Sequence, residues 1–217
     1  MGIADVASGL KYGDNSAATD VAIDLGVETG DATNIIGFSN NPTSSLQGNN
    51  AAYNAGIYVS DAPARDFIFV TGTNPIAIGA RVSGLSEGVY NVYISGANTN
   101  AAAAGTMNFF AASVGTGAST FDFISAGTAS ATNNPAGGAA WSAGVNYVLF
   151  SISITATQDL VIAASGTGAS SGGRGFLNSL EVVRVGDLTG IPEPGAFAAI
   201  AGFFALGACC LRRGRKA

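Results

Sequence analysis

The sequence predicts an all-β chain, an antiparallel β-sandwich of jelly-roll type, followed by a single C-terminal transmembrane helix. Three observations carry this. Short segments repeatedly alternate apolar and polar residues with period two, the mark of half-buried strands. The stretches between them are rich in Gly, Asn, Ser and Thr, which favour turns and loops. The last 27 residues break the pattern with an uncharged apolar run closed by a cluster of cations.

The strands follow in order. Residues 19–25 (TDVAIDL) place Val21, Ile23 and Leu25 on one face, with Asp20, Ala22 and Asp24 on the other. Residues 66–71 (DFIFVT) form a short apolar run, and 76–83 (IAIGARVS) alternate with Ile76, Ile78, Ala80 and Val82 on one side. Gly84-Leu85-Ser86-Glu87-Gly88 is turn chemistry leading into a strand at 89–95 (VYNVYIS). That pair reads as a hairpin or a tight connection between antiparallel strands. Residues 106–114, 120–125, 146–155 and 159–165 continue the series, with 155–158 as the turn between the last two. Residues 176–185 close the body with an imperfect alternation of Leu177, Leu180, Val182 and Val185.

No segment of the body sustains a helical period, and residues 100–105 (NAAAAG) supply one turn at most. Roughly nine strands in one domain, without an internal repeat, point to a sandwich and away from a solenoid or propeller. Residues 39–54 and 128–142 read as long polar loops, either for binding or as disordered connections.

Composition removes several function classes. Residues 1–190 hold five basic side chains against thirteen acidic ones, a balance of five minus thirteen, or −8. A nucleic-acid partner is therefore not expected, since it requires a basic face. The chain has no histidine, which removes Ser-His-Asp and Cys-His nucleophiles and most zinc sites. Both cysteines, Cys209 and Cys210, lie in the apolar tail, leaving the body no disulfide. Carboxylate pairs such as Asp61 with Asp66, or Asp122 with Glu181, have the residue types of a glycosidase. Nothing in their spacing specifies the required separation or a raised pKa. The chain is therefore read as a non-enzyme.

Two binding features remain. Oxygen ligands for a structural calcium exist at Asp14-Asn15 and Asn178–Glu181, although no EF-hand loop is present and Asp and Asn also serve as turn caps. No other cofactor is expected. Trp141, the single tryptophan, follows a Gly-rich stretch. Its ring either stacks on a sugar face or shields one end of the sandwich core. Tyr53 and Tyr58 pose the same choice more weakly.

The tail has its own physics. Residues 195–211 are 17 uncharged residues that as a helix rise ~25 Å, enough to cross a thin hydrocarbon core. Arg212, Arg213, Arg215 and Lys216 follow and act as a cytoplasmic stop, which places residues 1–190 outside the cytoplasm. Pro192 and Pro194 hold Glu193 in a stiff extended segment just before the helix, a shape that a protease or transpeptidase can bind.

The motif Pro192-Glu193-Pro194, the apolar helix at 195–211 and the Arg-rich end, taken together, resemble the PEP-CTERM sorting signal of Gram-negative bacteria. The resemblance covers about residues 191–216. It implies an exosortase-type processing enzyme as partner, recognition at Pro192-Glu193-Pro194, and removal of the helix and basic tail. It also implies an inner-membrane precursor that matures to the cell surface or extracellular matrix. An exported chain requires an N-terminal signal peptide, and residues 1–8 have neither its basic start nor its apolar core, so export needs such a segment ahead of Met1.

Residues 82–94 (VSGLSEGVYNVYI) and 174–183 (RGFLNSLEVV) resemble, over short permissive patterns, elements of galactose-binding-like and carbohydrate-binding jelly rolls. The expectation is an envelope or extracellular-matrix protein of two parts. Residues 1–190 form an extracytoplasmic sandwich, and 191–217 form a disposable sorting signal. Its role is structural or adhesive in contact with exopolysaccharide, or alternatively that of a carbohydrate-binding module with a defined glycan.

Overall fold

A computed structural model describes residues 6–7, 10, 12, 14, 16–30, 33–38, 68–69, 77–97, 106–125, 128–133, 140–167 and 174–188. The chain divides into two compact units, Met1–Gly186 and Asp187–Ala217. The sorting motif at Pro192-Glu193-Pro194, the helix expected at 195–211 and the basic end lie outside the described residues, as do the loop 39–54, Asp61, Asp66 and residues 100–105. Among the described residues there is no helix, and none therefore that is long and apolar enough to cross a membrane.

The described residues of the first unit are all-β, and the strands that pair in sheets are antiparallel. The large sheet runs β8 (Thr120–Asp122), β3 (Ile35–Gly37), β2 (Ala22–Glu28), β5 (Ile78–Ser83), β11 (Gln158–Thr167), β7 (Thr106–Gly115) and β9 (Ala129–Asn133). β1 (Val6–Ala7) also pairs with β2. A second sheet runs β10 (Val148–Ile154), β6 (Gly88–Ser95) and β13 (Ser179–Gly186). Two short strands, β4 (Ile68–Phe69) and β12 (Phe176–Leu177), pair separately, with Phe69 stacked on Phe176 at 5.4 Å between ring centroids.

The period-two residues explain how the sheets face each other. Leu25 on β2, Ile78, Ala80 and Val82 on β5, and Met107, Phe109 and Ala111 on β7 form one continuous core with Leu160, Ile162 and Ala164 on β11. From the second sheet, Tyr90, Val92 and Ile94 of β6 and Val148, Phe150, Ile152 and Ile154 of β10 point into the same core. The arrangement is sandwich-like, as alternation in both sheets requires.

The far face of the large sheet is not a solvent face. The sheet curls into a half-barrel, and a second apolar cluster fills the curl: Ile36, Phe38, Phe110, Phe121, Phe123 and Val161 are all buried there. Residues 160–164 of β11 are consequently buried on both faces. The curl needs a floor without side chains. Gly26 and Gly79 stand directly opposite each other in the β2–β5 register, and Ile36 lies on them. A Cβ at Gly26 would come within 2.7 Å of Ile36 Cγ2, and one at Gly79 within 2.9 Å of the same atom. Glycine in a strand interior commonly marks such a close approach.

Two expectations are corrected. Residues 76–83 and 89–95 do not form a hairpin, because β5 belongs to the large sheet and β6 to the small one. Residues 84–87 instead carry the chain across the core between sheets. Gly84 makes that corner with φ near 79°, and a side chain there would run into the carbonyl oxygen of Asp20. Residues 128–142 are not one long loop, since β9 forms within them and pairs with β7. The turn at 155–158 is present, with the Gln158 N–H donating to the Thr155 carbonyl, yet it too joins strands of different sheets.

Candidate functional site

Alternation on the small sheet decides which side chains face away from the core. With Val92 and Ile94 of β6 buried inward, Asn91 and Tyr93 point outward. On β10 the phase leaves Leu149, Ser151 and Ser153 exposed, and on β13 Ser179, Glu181 and Val183. The registers then align Leu149, Tyr93 and Glu181 in one row across the three strands. Beside it, the hydroxyls of Ser95 and Ser179 meet at 2.5 Å.

The segment before β10 brings two more rings to this face. Residues 142–147 form a compact turn around Asn146, which is fully buried. Its side-chain oxygen accepts the Ser142 N–H at 3.1 Å, its own N–H donates to the Ser142 carbonyl at 3.0 Å, and the Gly144 N–H donates to the Tyr147 carbonyl at 2.7 Å. Gly144 adopts φ near 76°, which suits glycine at this corner. The turn thus fixes the flanking aromatics, Trp141 and Tyr147. Their ring centroids lie 6.4 Å apart at 41°, and Tyr147 stands 5.9 Å from Tyr93 at 54°.

Together Tyr93, Trp141, Tyr147, Ser179 and Glu181 line an open cleft of about 250 Å³. That is slightly below the ~300–1,000 Å³ common for pockets that engulf a small molecule. It suits a ligand lying across the surface. Trp141 is 41 % exposed and is not among the described residues of either apolar core, which favours the stacking role for its ring. No hydrogen bond or ion pair among the described residues engages the Glu181 carboxylate or the hydroxyls of Tyr93 and Tyr147. The cleft therefore offers apolar faces beside polar groups with open hydrogen-bonding capacity, the combination that binds a ligand with both apolar and hydroxyl-bearing faces.

A second cleft, about 330 Å³, lies along the curl of the large sheet, lined in part by Phe121, Asp122, Ser125 and Thr128. Asp122 is used locally there: its Oδ1 accepts the Ile124 N–H at 3.1 Å. Asp122 and Glu181 lie in different sheets and line different clefts, so they do not form a carboxylate pair. Of the calcium candidates, Asp14 and Asn178 are committed to a turn and a joint, and Asn15 lies outside the described residues. Asp14 accepts both the N–H and the hydroxyl of Ser16, which holds its carboxyl below the usual range. Asn178 accepts the Ala97 N–H at 2.7 Å. Among the described residues no group of three or more His, Cys, Asp or Glu could hold a metal ion.

Sequence alone singles out Trp141 but not its companions. Tyr93 carries one usable signal, its outward phase on β6. Tyr147 and Glu181 join it only through the turn at 142–147 and the β6–β13 register. Tyr53 and Tyr58 lie outside the described residues. Compared with protein-family models, curated proteins and solved structures, the chain finds no match.

Proposed function

We propose that this chain is a non-enzymatic protein of the bacterial cell envelope that adheres to exopolysaccharide through the Trp141 cleft. The observation that carries the reading is the grouping of three aromatic rings, an open carboxylate and a serine hydroxyl on an exposed sheet face. Sugar rings present C–H faces that stack on aromatic rings and hydroxyls that bond to polar neighbours, so this grouping matches their chemistry. The adhesive role and the carbohydrate-binding role then become one.

The sorting half of the proposal rests on the tail sequence. Pro192-Glu193-Pro194 is the recognition motif, residues 195–211 cross the inner membrane, and Arg212, Arg213, Arg215 and Lys216 stay inside. The body is a jelly-roll-like sandwich delivered to the surface or matrix after exosortase-type processing. Repeated passage of the chain between the two sheets supports that topology.

Glycan-array binding by the protein and its Trp141→Ala variant tests the adhesive half. A saturable signal on one class of glycan, lost in the variant, is expected; binding to no glycan rules the reading out. Replacing Pro192, Glu193 and Pro194 with alanine tests the sorting half. Unprocessed, membrane-held precursor is expected, and normal maturation of the variant would refute the signal.

A further inference from the structure

We infer that the Trp141 cleft selects a single glycan chain bearing free amino groups over its neutral counterpart, over uronic-acid polymers and over crystalline polysaccharide faces. This rests on the glycan-binding reading above and specifies its ligand.

Charge is the first ground. Glu181 sits in the cleft beside three aromatic rings, with no hydrogen bond or ion pair to any described residue. The described cations that could answer it are directed elsewhere. Arg81 bonds to Asp24 and to the Ala118 carbonyl, Arg174 lies over the Phe69 ring at 5.8 Å, and Arg184 donates to the Glu87 carbonyl. Arg184 shares β13 with Glu181, but three positions along a strand place the two on opposite faces. A uronate or sulfate entering the cleft would meet a like charge with no cation among the described residues to offset it. A protonated amino group would instead find a carboxylate acceptor, and aromatic faces that attract cations.

Ring geometry is the second ground. The Tyr147 ring is tilted by 41° from Trp141 and by 54° from Tyr93, so a flat crystal face resting on Tyr147 cannot also lie flush on either neighbour. One chain with rotatable glycosidic bonds can turn its units to meet each ring. The cleft is a trough for a strand of sugar, not a platform for a lattice.

Calorimetric titration of the full chain in non-ionic detergent tests this, using a glucosamine hexamer, the N-acetylglucosamine hexamer and a hexauronate. At low salt the free-amine hexamer should bind about 2–5-fold more tightly than its acetylated counterpart, as expected for one partly exposed ion pair. That ratio should fall toward one in Glu181→Gln and shrink as salt rises through roughly 0.5 M. The hexauronate should bind most weakly, and crystalline chitin should retain no protein where the soluble hexamers saturate it.

Equal affinity for amine and acetyl hexamers, an amine preference that persists in Glu181→Gln, tightest binding of the uronate, or retention on crystalline chitin would each overturn the inference. If the acetylated hexamer binds and Trp141→Ala abolishes that binding, the glycan-binding reading stands even when the amine preference is absent. Binding of no hexamer and no array glycan removes both.

Discussion

Gly26→Ala tests the curl of the large sheet, because two effects compete with opposite signs. In an ordinary strand, replacing glycine with alanine removes unfolded-state freedom and stabilises by about 0.5–1 kcal/mol. Here the new Cβ would stand 2.7 Å from Ile36 Cγ2, 2.8 Å from the Gly37 carbonyl oxygen and 2.9 Å from Phe38 Cδ1. One of those atoms is backbone, paired in the β2–β3 ladder, so it cannot move aside cheaply. Overpacking of this kind costs about 1–3 kcal/mol, leaving a net loss of about 0.5–2 kcal/mol. For a chain of this size the melting temperature should drop by about 1–8 °C.

Urea unfolding followed by far-UV circular dichroism measures the loss. A double-mutant cycle with Ile36→Ala locates it. Ile36→Ala alone should cost about 2–5 kcal/mol, and Gly26→Ala should cost at least about 0.5 kcal/mol less in that background. Stabilisation by Gly26→Ala in the otherwise native chain would show that Ile36 does not rest on this strand. The half-barrel would then be wrong.

Two further outcomes concern charges away from the cleft. Arg81 joins β5 to Asp24 on β2 at 2.8 Å and reaches the Ala118 carbonyl, with both ion-pair partners less than one-fifth exposed. Arg81→Met should therefore cost about 1.5–3 kcal/mol in urea unfolding, and a loss below about 0.5 kcal/mol would mark it as an ordinary surface pair. The Tyr12 hydroxyl donates to Asp20 at 2.6 Å, which lowers the Asp20 pKa and raises that of Tyr12. The carboxylate's contribution is present above its ordinary value of 3.8 and lost as pH falls through the depressed folded value. The phenol's contribution is present below its ordinary value of 10.0 and lost as pH rises through the raised one. NMR titration of Asp20 in Tyr12→Phe should show its pKa moving up toward 3.8, and an unchanged value would contradict the pairing.

Strand location was legible wherever both apolar content and period two persisted over six or more residues. β2, β5, β6 and β10 have that length, and their inward residues are those the alternation indicates, whereas β7 and β11 stand out by apolar content because both of their faces are covered. β3 and β9 were not legible, because three residues (IIG) or a weakly apolar run (ASATN) carry too little pattern. Their formation depends on partners distant in sequence. Sheet membership was equally hidden: the residues at 84–88 have hairpin chemistry, yet the inward faces on either side must meet across a core.

The site divides in the same way. Period-two alternation marks Tyr93 as outward-facing from the sequence by itself. Its position beside Glu181 depends on the β6–β13 register, and the reach of Trp141 depends on a turn organised by buried Asn146. Nonlocal register, not composition, makes the cleft.

Because Trp141 is the only tryptophan, its fluorescence reports on the cleft alone. At 41 % exposure, and with about 150–250 Å² of aromatic surface in all, its ring leaves roughly 60–100 Å² in water. A sugar covering half of that, with equal area buried on its own side, gains about 1.5–2.5 kcal/mol at ~25 cal/mol per Å². Titrating the protein with soluble amino-sugar oligomers should give a saturable blue shift of the Trp141 emission, with its midpoint at the calorimetric affinity. Oligomer binding that leaves the emission unchanged would place the ligand elsewhere and contradict the assignment of this cleft.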